Sequence, residues 1–130
     1  MEQLTRVEGG SLGTLRIANE VVAVIAGLAA TEVSGVAGMS GGIVGGIAEI
    51  LGRKNLSKGV KVEVGEKEAA VDLYLIVEYG SYIPQVAESV QENVKKSIEN
   101  MTGLSVVEVN VYVQGVRFHH EEKEDETRVR

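Results

Sequence analysis

The chain has no cysteine and no tryptophan, a single proline, and only five aromatic residues: Tyr74, Tyr79, Tyr82, Tyr112 and Phe118. Without cysteine there is no disulfide and no thiolate nucleophile or metal ligand, a composition in keeping with a reducing cytosol. Five scattered rings are poor material for a base-stacking platform. Basic residues are scarce: 13 Lys and Arg against 19 Asp and Glu leave a net charge of −6, which argues against nucleic acid or anionic lipid as a direct ligand. The opening Met1-Glu-Gln-Leu-Thr-Arg6 lacks the basic and apolar regions of a secretory signal. A membrane span needs about 20 strongly apolar residues. The least charged run, Val21 to Ala48, is interrupted by glycine and serine and carries Glu32 within it, so no transmembrane span is expected.

What is present suffices for one domain: 130 residues, 44% of them hydrophobic. The clearest helix covers about residues 82–101. Its apolar stripe is Ile83, Val86, Ala87, Val90, Val94, Ile98 and Met101, with Gln85, Glu88, Gln91, Glu92, Lys95, Lys96 and Glu99 opposite. Ser81 is a candidate N-cap, Pro84 falls in the first turn, and Gly103 suits a left-handed C-cap. By this reading Val90→Asp unfolds the domain and Gln91→Asp is almost silent. The period then changes to two: Val107, Val109, Val111 and Val113 alternate with Glu108, Asn110, Tyr112 and Gln114, until Gly115 breaks the pattern as a candidate bulge.

Upstream, residues 1–11 read as a loose lead-in, and Leu12 to Ile17 as a short strand. A helix follows to about Val33, on a stripe of Ile17, Val21, Ile25 and Leu28 widened by Val22, Ala26 and Ala29. It is apolar all round, which suits deep packing or cover by a partner. Six glycines (Gly35, Gly38, Gly41, Gly42, Gly45 and Gly46) then mark a glycine-rich segment over 35–52. Within it Gly35-Val-Ala opens a short strand, and Ile43, Ile47, Ile50 and Leu51 have the spacing of a short helix. Val60, Val62 and Val64, a Gly65-Glu-Lys-Glu68 turn, and Val71, Leu73, Leu75 and Val77 compose a β-hairpin. The 82–101 helix returns the chain by a right-handed crossover, setting the last strand parallel to the one at 70–78. Were that strand to pair with the one at 60–64, the latter would lie in the middle, antiparallel to both neighbours. The expected fold is α+β: a two-layer sandwich with a three-stranded or slightly larger, mainly antiparallel sheet covered on one face by two helices, KH-like with a split βαβ. Residues 12–118 make up the domain, and 119–130 a charged, disordered tail.

Chemical motifs are thin. Gly52 is followed by Arg53-Lys54-Asn55 rather than Lys-Ser/Thr, so no phosphate loop is present. Gly38-Met-Ser-Gly41 and Gly42-Ile-Val-Gly45 match the Gly-x-x-Gly of KH RNA-binding loops, yet no Lys or Arg lies between Arg16 and Arg53 to meet phosphate. A KH-like RNA-binding module is the alternative reading. His119 and His120 are adjacent in an acidic tail, which is poor ligand spacing, and no metal or cofactor is expected. Glu63, Asp72, Glu78 and Glu108 fall on the sheet face turned from the helices. Asp72 and Glu78 stand about 20 Å apart, too far to act as a carboxylate pair. The same face carries Tyr74, Ile76 and Tyr112, so it reads equally as a solvated acidic face or as a contact surface, and Gly41, Gly42, Gly45 and Gly46 are added as candidate contacts from the glycine-rich segment.

Gly13-Thr-Leu-Arg-Ile17, Asn19-Glu-Val-Val22 and Ile25-Ala26 resemble the opening motif of the alkaline shock protein family. Ser34-Gly-Val36, Tyr79-Gly80, Gln91-Glu-Asn-Val94, Met101-Thr-Gly-Leu104 and Val109-Asn-Val-Tyr-Val113 extend the resemblance over residues 12–118. Ala18 stands where a helix-capping serine is common in the family, which leaves Asn19 as the cap. The resemblance implies a non-enzymatic, cytoplasmic protein of the envelope stress response. It would self-assemble into homo-oligomers and sit peripherally at the inner membrane face through a membrane-anchored partner. It brings no catalytic residues to carry over.

Overall fold

The computed structural model describes residues 4–7, 12–41 and 58–118. Two short strands, β1 (Leu4–Val7) and β2 (Leu15–Ala18), pair antiparallel and lead into helix α1 (Asn19–Thr31). Strand β3 (Val36–Met39) follows, then β4 (Val60–Val64), β5 (Glu68–Glu78), helix α2 (Ile83–Thr102) and β6 (Ser105–Arg117). The short helix read over 43–51, the stop at Gly52 and the 119–130 tail lie outside the described residues. The lead-in is corrected at its centre, where Leu4–Val7 form a strand, and the strand read from Leu12 begins only at Leu15.

The fold is α+β in two layers, with a mainly antiparallel sheet and two helices on one face. β5 is its axis. β3 and β4 lie end to end along one edge of β5, both antiparallel, while β6 runs parallel along the other. The hairpin read from the alternating valines is β4–β5, closed by the Gly65 amide on the Glu68 carbonyl at 2.7 Å. The middle place belongs to β5 rather than to β4. A βαβ crossover has therefore set its two parallel strands side by side, and the βαβ unit is not split. An eleven-residue β5 can hold a full-length partner on one edge and two short ones on the other, which five-residue β4 cannot.

Period two along β5 buries Ala69, Val71, Leu73, Leu75 and Val77 beneath the helices. In α2 the buried line is Val86, Val90, Val94, Ile98 and Thr102. Steps of four drift about 40° each around a helix axis, so the line turns away from Met101, which is 70% exposed, and ends on Thr102. The Thr102 hydroxyl donates to the Ile98 carbonyl at 2.6 Å and accepts from the Leu104 amide, so its burial leaves nothing unpaired. Ser81 does not cap this helix. The N-cap position is Tyr82, without a side-chain bond, and Pro84 in the first turn has no amide to satisfy. Gly103 closes the other end at φ +79°.

The stripe read on α1 is also corrected. The helix buries Val22, Ala23, Ile25, Ala26, Gly27, Ala29 and Ala30, and exposes Val21 and Leu28. With apolar residues all round, the small side turns inward, because α1 is wedged between α2 and strands β3 and β4. The Asn93 side-chain amide of α2 donates to the Ala29 carbonyl at 2.8 Å and ties the helices together near the end of α1.

Candidate interaction surface

No described helix covers the second face of the sheet. Cross-strand registers place Glu63, Ala70 and Glu108 in one row of it, Lys61, Asp72 and Asn110 in the next, then Tyr74 beside Tyr112, Ile76 between Gly38 and Gly115, and finally Glu78 beside Arg117. The Tyr74 and Tyr112 rings stack with centroids 4.9 Å apart and planes at 18°. The Lys61 ammonium lies 5.8 Å from the Tyr74 ring centre. In the next row Ile76 has no side chain on either flank, since both its neighbours are glycines. Alternation already sets Lys61 with Glu63 and Asn110 with Glu108 and Tyr112, whereas it misses Gly38, Gly115 and Arg117 as members of this surface. Only the register reveals them, and β6 carries two register shifts, between Val106 and Glu108 and between Val113 and Gly115. The first exposes Val107 (58%) and buries Val106, the reverse of the simple alternation, and the second confirms a bulge beside Gly115.

Three of the carboxylates, Asp72, Glu108 and Glu78, are held as acceptors. The Asn110 side-chain amide donates to Asp72 Oδ1 at 2.9 Å and to Glu108 Oε2 at 3.1 Å. Arg117 pairs with Glu78 at 2.9 Å. No described trio of carboxylates and imidazoles is placed to hold a metal ion. On the helix side an open groove of about 1320 Å³ runs past Glu32, Ser81, Asn93, Lys96 and Arg117, where Asn93 is engaged in holding α1.

Of the glycine-rich candidates, Gly41 follows β3 at φ +85°, whereas Gly42, Gly45 and Gly46 lie outside the described residues. The Ser40 amide donates to the Tyr74 carbonyl at 2.7 Å, and the Tyr74 amide donates to the Gly59 carbonyl at 2.8 Å. Both ends of the segment, as it leaves β3 and as it enters β4, are therefore anchored at Tyr74. The structure brings Tyr74, Ile76 and Tyr112 together on one face and sets Gly41 at its margin. No described helix is long and apolar enough to cross a membrane.

Known proteins agree with the motifs. The model of the alkaline shock protein 23 family, described as having a cell envelope-related function, matches residues 8–118. The protein YqhY of Bacillus subtilis (strain 168) is 46% identical over 111 residues, covering 85% of this chain and 82% of its own length. YloU of the same organism is 44% identical over 107 residues, covering 81% and 89%. A protein of Streptococcus pyogenes serotype M3 described as a stress response regulator gls24 homolog is 35% identical over 106 residues, covering 81% of this chain and 59% of its own length. Among solved structures, a variant of the MamM C-terminal domain is similar with a TM-score of 0.47 at 16% identity, covering 75% of this chain and 94% of that domain.

Proposed function

Because the chain belongs to the alkaline shock protein 23 family, to which its sequence motifs pointed, we propose that it is a non-enzymatic scaffold of the envelope stress response. Its copies associate with one another, and the assembly docks on a membrane-anchored protein at the inner face of the membrane. The observation that carries this reading is the sheet face that no described helix covers, where a stacked tyrosine pair and a glycine-flanked isoleucine sit inside a charged rim. Aromatic and branched side chains within a polar border are the make-up of a protein contact. Asp72, Glu108 and Glu78 on this face already accept from Asn110 and Arg117, which suits recognition more than turnover. It favours protein over RNA, since Glu63, Asp72, Glu78 and Glu108 outnumber Lys61 and Arg117 on it.

Co-sedimentation with membranes from a producing bacterium tests the docking. The wild-type protein should pellet with them and lose that ability once the membranes are shaved with protease. Tyr74→Ser combined with Tyr112→Ser should stay folded and remain in the supernatant. Equal pelleting of the double variant would exclude this face, and retention on shaved membranes would point to lipid instead. Light scattering tests the self-association: a mass above the 13.9 kDa of the monomer should emerge as concentration rises.

A further inference from the structure

β6 is an edge strand: β5 occupies one side of it, and among the described residues nothing pairs with the other. The near end of that outer edge is closed by α2. Gln91, Lys95 and Glu99 stand one helical turn apart, each four residues from the next, and reach down onto the strand. Gln91 donates to the Val109 carbonyl at 3.0 Å, Lys95 donates to the Val106 carbonyl at 3.4 Å, and the Val106 amide donates to Glu99 at 2.9 Å. Backbone groups alternate in direction along a strand, so those of Val111 and Val113 face the same way as those of Val109. The Arg117 carbonyl accepts from the Tyr79 amide on the inner side, which turns Val116 outward as well. Among the described residues, no side chain caps these three.

Proteins commonly protect such an edge with lysine, proline or an inward charge. From Val109 to Val116 this strand has no charged residue and no proline, and its charges stand at the two ends of the open stretch, Glu108 and Arg117, opposite in sign. We propose that this edge pairs antiparallel with the same edge of a second copy, joining two sheets into one across a twofold axis. The end charges select both the occupant and the direction. Antiparallel pairing of two copies sets each Glu108 beside the other copy's Arg117, whereas parallel pairing would stack like on like. Opposed residues of an antiparallel pair face the same way, and the bulge at Gln114 adds one residue to each strand. The axis therefore falls at Tyr112, with Val111 opposite the other copy's Val113, and the α2 clasp ends the pairing at Val109. Two uncovered faces become one, with their tyrosine stacks side by side. This geometry rests on the self-association proposed above and supplies its contact.

The absence of cysteine allows a direct test on the full chain. A mixture of the Val111→Cys and Val113→Cys variants should give a covalent dimer under mild oxidation, while Glu88→Cys on α2 should not. Glu108→Arg and Arg117→Glu should each weaken self-association at least about tenfold, because each places like charges together twice per dimer, and the two combined should restore it. Both side chains are on the surface, and circular dichroism confirms that each variant folds. If the wild type is monomeric at every concentration, both the edge pairing and the self-association fail. If it associates but the thiols of the mixed Val111→Cys and Val113→Cys variants stay reduced and the charge reversals change nothing, the edge pairing alone is overturned.

Discussion

At Gly59 the backbone takes φ +80°, and a Cβ there would lie 2.7 Å from the Ser40 carbonyl oxygen and 3.0 Å from that of Tyr74. This is where β4 begins after the chain has left β3, and no side chain fits. Gly59→Ala combines left-handed strain with a backbone clash, an expected loss of roughly 2–4 kcal/mol readable as a lower urea midpoint. A similar limit holds at Gly35, whose added Cβ would meet the buried Val86 side chain at 2.7 Å. Val90 is fully buried beneath the helices, so Val90→Asp sets an unpaired carboxylate in the core and should abolish the cooperative transition in circular dichroism. Gln91, one position along, reads from periodicity alone as an inert surface residue. Its bond to the Val109 carbonyl makes Gln91→Asp a lesion of the sheet edge, turning an acceptor toward an acceptor, while leaving the core intact.

Among the elements, the clasp of α2 on β6 has a pH dependence of its own. The Lys95 ammonium, and after it the Val106 amide, hold the Glu99 carboxyl below its ordinary value of 4.5. The fold thus favours the charged form. The contribution of the clasp is complete above 4.5 and is lost as pH falls through the lowered value. An NMR titration should show the Glu99 carboxyl and the Val106 amide moving together below 4.5, and Lys95→Met should raise that midpoint. A Glu99 midpoint at or above 4.5 in the wild type would refute the assignment. The clasp was not legible in the sequence, because an amphipathic pattern identifies the buried side of a helix and says nothing of what its flanks reach. Helix α2 itself was legible almost to the residue, and so was the β4–β5 hairpin, since both depend on local period and turn chemistry. β6 was legible as a strand, with its facing right from Glu108 to Val113 and the bulge beside Gly115 signalled by that glycine, but Val107 was misread, because a bulge leaves no mark in a run of valines. The inner side of α1 could not be read where every side is apolar.

For the whole molecule, the layering of two helices on one face of the sheet followed from pattern, whereas the strand order did not. Two arrangements satisfied the same crossover, and only the length of β5 decided between them. The candidate surface was legible in its apolar members, Tyr74, Ile76 and Tyr112, because alternation puts them opposite the buried set. Its glycine flanks and paired charges required the register. Among the described residues, one side of the sheet is roofed by helices and the other is bare, with an open strand at its border, and the proposed function rests on the bare side. Amide and methyl NMR spectra recorded across a concentration series put that assignment to the sharpest check. Shifts and broadening should concentrate at Tyr74, Ile76, Val111, Tyr112 and Val113. Changes confined to the outward residues of the helices, such as Val21, Leu28 and Glu88, or no change at any concentration, would overturn it.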